Sequence, residues 1–205
     1  MNNPIVREFP PPTRLLTSAF AELQIARSDD DEARQALGDL SALARPWDPA
    51  SCPPTLREEL WIWLDRVVGW INHEYAWHHD RVIPACWPAH PHIVHDVAVI
   101  ACLRYAAGHA LTADPLEDWH RYALPAFFDR MTARLGGSPC PPGEHKPWPA
   151  RGRFSDYESE GSLRRRMDTY AKDTGRRGNT NPPPPARNGR AALSAVGPAH
   201  PADGR

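Results

Sequence analysis

Apolar positions recur every three or four residues in the middle of this chain. Leu60, Leu64, Val67, Val68, Ile71 and Tyr75 form one stripe, predicting a buried helix face from about residue 56 to 75. Thr55 and Glu58 stand at capping-box spacing ahead of it. A second helix is expected to open at Pro91, which has no N–H to satisfy in a first turn, and to run to about Leu111. Ile93, Val97, Ile100 and Leu103 supply its core positions. Asp114, Pro115 and Glu117 restart a third helix carrying Trp119, Phe127, Phe128, Met131 and Leu135. A kink is expected at Pro125 and a stop at Gly136-Gly137. No strand alternation competes. The predicted fold class is mostly α: a small helical domain over 55–148, built on a three-helix core.

The flanks follow weaker patterns. Residues 1–13 form a proline-rich leader, expected to be disordered. Residues 14–45 read as a helical arm. Leu16, Phe20 and Leu23 sit on one helix, and Ser28 before an acidic run starts a second, which carries Leu37, Leu40 and Ala44. Residues 46–54 are a proline-rich linker or extended strap. Residues 149–205 contain few apolar residues and many Gly, Pro and Arg, and are expected to be a disordered basic tail with one short helical candidate at 162–172. Trp61 and Trp63 point about 200° apart on a helix, so with Trp70 they cannot all face one core; one of them should meet a partner surface or cover the linker.

Charge changes this picture by segment. Residues 1–54 hold 5 Lys and Arg against 8 Asp and Glu, residues 55–145 hold 7 against 11, and residues 146–205 hold 12 against 6. An acidic fold repels a phosphate backbone, so nucleic-acid contact is assigned to the tail: Arg164, Arg165, Arg166, Lys172, Arg176 and Arg177. No apolar run is long enough to span a membrane and no export signal is seen. A cytoplasmic location is expected, with the four cysteines as reduced thiols or metal ligands.

The candidate chemistry lies in "VIPACWPAHPHIVHD", residues 82–96. Cys86 and His90 form a C-x3-H pair just before the second helix, and Cys140 and His145 form a C-x4-H pair just after the third. Two antiparallel helices joined by "LTADP" return the chain to its starting end, so the two loops should meet. Two thiols and two imidazoles compose a closed tetrahedral zinc site; the competing reading has Cys86 and Trp87 plugging the core and His145 exposed. On the second helix Cys102 reads as a small buried apolar residue, and His95, seven residues away, cannot share an ion with it. "HEYAWHH" misses the zinc-protease spacing because His73 and His78 are five apart. No phosphate-binding Gly-rich loop and no Gly-x-Ser-x-Gly elbow is present. An enzymatic alternative remains, a metal-dependent hydrolase. It would use Cys86, His90 and either His120 or His145 as ligands, with a base among Asp80, Glu117 and Glu144.

The stretches "VIPACWPAHP", "EDWHRYALPAFFDRM" and the late Cys140-to-His145 pair resemble a family of small actinobacterial proteins, domain of unknown function 4913, met on plasmids and integrated mobile elements. The resemblance covers about residues 58–148. It carries over to Cys86, Trp87, His90, Pro91, Trp119, His120, Cys140 and His145, and so includes the same four positions. It brings no activity, substrate or ligand. Together with the charge pattern it implies a non-enzymatic accessory protein of a mobile element that docks onto a protein or nucleic-acid complex, of undetermined oligomeric state. Zinc is the expected cofactor, with His120 as the alternate ligand.

Overall fold

The computed structural model describes residues 5–136, 140–141 and 143–175. These form α1 (Arg14–Ala26), α2 (Asp31–Ala36), α3 (Pro54–Glu74), α4 (Pro91–Gly108), α5 (Asp114–Asp118), α6 (Leu124–Arg134), α7 (Arg151–Glu158) and α8 (Glu160–Asp173), with no strand among the described residues. The protein is mostly α, and no described helix is long and apolar enough to cross a membrane. The chain divides into two compact units, one ending at Lys146 and the other beginning at Pro147.

In the first unit the predicted stripes meet. Leu60, Leu64, Val67 and Ile71 of α3, Ile93 and Val97 of α4, and Phe127 and Met131 of α6 are fully buried in one continuous core. Burial of this kind stabilises by roughly 1.5–3 kcal/mol per large side chain. Leu103, expected in that core, is instead 48% exposed, where α4 turns toward an open apolar groove shared with Trp119 and Tyr122. The helix starts also differ from the capping patterns. Pro53 is the N-cap of α3 with Pro54 in its first turn, so Thr55 lies inside the helix and caps nothing. Asp30, not Ser28, caps α2, accepting from the Ala33 N–H. That helix ends at Ala36, and Leu40–Ala42 is a separate 3-10 turn, because Gly38 takes a positive φ between them.

The expected kink at Pro125 is a π turn over Trp119–Ala123, in which the Leu124 N–H reaches back five residues to the Trp119 carbonyl. The widened turn relieves the crowding that the Pro125 ring would impose on the carbonyl of Arg121.

Three flanking segments are more ordered than the sequence suggests. From residue 5 onward the leader is an extended strap lying on α3: the Trp63 and Trp70 indoles donate to the carbonyls of Pro10 and Arg7. The helical arm is part of the core, with Leu16 fully buried and Phe20 stacked on Tyr105. The linker packs inward too, burying Pro49 and Cys52. All three tryptophans therefore find cover within the chain: the leader lies over Trp63 and Trp70, and Trp87 lies against Trp61 at 5.4 Å.

The second unit is helical over residues 151–173, where a disordered tail is expected apart from the short helical candidate at 162–172, which α8 contains. Residues 150–173 contain no proline, and they form α7 and α8 around an elbow at Ser159. Ser159 caps α8 by accepting from the Ser162 N–H. Arg166 locks the elbow, donating to the Tyr157 carbonyl at 2.8 Å while its guanidinium lies 3.9 Å over the Tyr157 ring. Low apolar content hid this, because a charged residue does the local packing. Residues 176–205 lie outside the described residues.

Candidate metal centre

The loop before α4 is pinned from behind. Asn72 on α3 both donates to the Ile83 carbonyl at 3.0 Å and accepts from its N–H at 2.8 Å. Ile83 and Trp87 are buried in the core. Cys86 then precedes the 3-10 turn Trp87–Ala89, and His90 is the residue that opens α4. The loop after α6 arrives from the other side. Gly136 ends that helix with a positive φ, and Gly143 makes a second left-handed turn between Cys140 and His145. Arg130 and Arg134 of α6 reach Asp96 of α4, and Arg81 meets Asp129 at 2.7 Å. These pairs fasten the two helix ends that carry the loops.

The structure brings Cys86, His90, Cys140 and His145 together, with one ligand atom from each and all four within 4.8 Å of one another. His90 Nε2 lies 3.4 Å from Cys86 Sγ and 3.5 Å from Cys140 Sγ, and the His90 and His145 rings are 4.6 Å apart. Zinc–sulfur bonds of about 2.3 Å and zinc–nitrogen bonds of about 2.0–2.1 Å place tetrahedral ligand atoms ~3.3–3.8 Å apart. The two sulfur–nitrogen distances fall in that range, and the four residues lie close enough together to hold a metal ion. The backbone N–H of Lys146 donates to Cys140 Sγ at 3.4 Å, a contact that would steady a thiolate. Sequence spacing gives no signal for that bond or for the Asn72 clamp.

Partial burial raises the Cys86 thiol above its ordinary pKa, and the neighbouring Cys140 thiol adds to this. Burial lowers His90, helped by His145 and His92, which keeps its imidazole neutral and able to coordinate. All four cysteines are free thiols, and Cys102 is buried in the core, with its pKa strongly raised by desolvation.

The other singled-out residues stand apart. His120 is carried by the π turn to the Tyr75 hydroxyl, 3.1 Å from its Nε2, and does not join the four. Asp80, Glu117 and Glu144 are outside the group as well; Glu117 pairs with Arg121 at 3.3 Å. Arg164, Arg165 and Lys172 are exposed on α8, and Arg166 is held by Tyr157. Arg176 and Arg177 lie outside the described residues. Compared with protein-family models, with curated proteins and with solved structures, the chain finds no match.

Proposed function

We propose that Cys86, His90, Cys140 and His145 hold a structural zinc ion, and that the protein is a non-enzymatic accessory protein acting through contact with a partner. The observation that carries the metal assignment is the convergence of two thiols and two imidazoles from loops fifty residues apart in sequence, at zinc-like spacing. Four protein ligands close a tetrahedral site and leave no position for an activated water, which favours a clip over a hydrolase. Zinc would be retained in a reducing, cytoplasmic setting, where these thiols stay unoxidised. The mobile-element context rests on the resemblance of residues 58–148 alone. Contact with nucleic acid is a second reading, favoured by the exposed Arg164, Arg165 and Lys172 of α8.

Cobalt substitution separates the clip from the hydrolase. Co2+ in the full chain should show the intense visible bands of a tetrahedral thiolate site, unchanged by added azide. A spectrum that shifts with azide would reveal an open coordination position and support the hydrolase.

A further inference from the structure

Two of the four converging side chains carry sulfur and two carry imidazole, and only the sulfurs are open to reversible oxidation. Cys86 Sγ and Cys140 Sγ both lie against His90 Nε2, at 3.4 and 3.5 Å, and within 4.8 Å of each other. The two thiols also share a hydrogen bond. A disulfide holds its sulfurs about 2.05 Å apart, so this pair has to close by less than ~3 Å. The adjustment falls on the Cys140 side. Cys86 stands between Ile83, which Asn72 holds, and Trp87, which is buried in the core. Around Cys140, by contrast, Pro141 and Gly143 to Lys146 are exposed.

A second pair of thiols sets the contrast. Cys52 and Cys102 are 2% and 7% exposed, and both belong to the continuous core. The Cys52 thiol faces the carbonyls of Arg45 and Asp48, at 3.7 and 3.8 Å. Cys86 and Cys140 are each partly exposed. Thiol oxidation follows access, so an oxidant in solution reaches Cys86 and Cys140 and is kept from Cys52 and Cys102.

We propose that Cys86 and Cys140 are a redox-exchangeable clip: zinc joins the two loops while both sulfurs are reduced, and a Cys86–Cys140 disulfide joins them once a peroxide has oxidised the pair. This rests on zinc being the ion held there, as proposed above. One sulfur attacks a peroxide oxygen, which breaks the O–O bond and gives a sulfenic acid and hydroxide. The other sulfur attacks the sulfenic sulfur, forming the S–S bond and expelling a second hydroxide. Two thiolates thus lose two electrons, and hydrogen peroxide is reduced to two hydroxides. His90 and His145 then supply only half of a tetrahedral ligand set, and zinc leaves as the hydrated dication. The α4–α6 hairpin stays closed in both states.

The test treats the full chain with a few equivalents of hydrogen peroxide under non-denaturing conditions, once zinc-loaded and once stripped by a chelator. Peptide mapping should find Cys86 joined to Cys140 in both samples, with Cys52 and Cys102 still free to alkylate after unfolding. In the loaded sample a chromogenic indicator should register about one zinc per chain, rising in step with the disulfide and reversed by dithiothreitol. The oxidised chain should melt about 5 °C or more above the reduced, metal-free chain, because the bond closes the whole α4–α6 segment. Oxidation of the single thiols to sulfinic acid, pairing between chains, or a disulfide that leaves zinc in place would overturn the proposal. A chain that never takes up zinc yet forms the bond would sink the zinc assignment, and the exchange with it, while leaving the disulfide standing.

Discussion

A thiol binds zinc only after giving up its proton, and Cys86 holds that proton more tightly than a free cysteine because it is partly buried beside Cys140. His90 is shifted the other way, so it sheds no proton near neutral pH. Metal entry must therefore displace thiol protons, and zinc affinity should rise steadily from pH 6 to pH 8. A chelator competition series measures this, and a flat profile would remove the thiols from the ligand set. Cys86→Ser and Cys140→Ser should each cost about 1–2 kcal/mol of stability, or ~2–8 °C in Tm, and the double variant little more than either alone. Additive losses in thermal melts would mean two separate roles. The meeting of these four side chains was legible because the helix lengths return the chain to the same end of the hairpin. His120 could not be set aside in the same way, since spacing does not say which way a ring points. The π turn decides that by aiming it at Tyr75.

At the scale of elements, Asn72 couples α3 to the loop carrying Cys86 and His90 through both polar groups of Ile83. Asn72→Leu would leave that N–H and carbonyl without partners, at a cost of about 1–3 kcal/mol. Hydrogen exchange at Ile83 should quicken, and zinc affinity should fall although no ligand has changed; protection equal to the wild type would show that the clamp is dispensable. The helices α3, α4 and α6 were readable because their periodicity coincides with burial. The strap was not, because a proline-rich segment carries no periodicity, and its order comes from indole N–H groups more than fifty residues away. Leu103 fails for a different reason. It sits at the edge of the stripe, about 80° round the helix from Ile93, whereas Ala107 one turn further along α4 is buried.

Across the whole molecule, charge and order divide at different places than composition suggests. The basic stretch after Pro147 begins with two helices, and within it Arg166 is a packing residue while Arg164 and Lys172 are exposed. Arg166→Ala should loosen the α7–α8 elbow by about 0.5–1 kcal/mol, visible as lost helicity, whereas Arg164→Ala should leave helicity intact. Any affinity for duplex DNA should fall steeply with salt and fall again in an Arg164→Glu, Lys172→Glu chain; binding indifferent to both would exclude α8 as the contact. Central to the proposed function is a zinc ion held by Cys86, His90, Cys140 and His145 as a clip. Native mass spectrometry of the full chain, purified without chelators, tests that clip most directly. The predicted result is one zinc ion per wild-type chain with both thiol protons displaced, and none in the Cys86→Ser, Cys140→Ser double variant. A wild-type chain that stays metal-free beside equimolar zinc, or a double variant that still retains the ion, would contradict it.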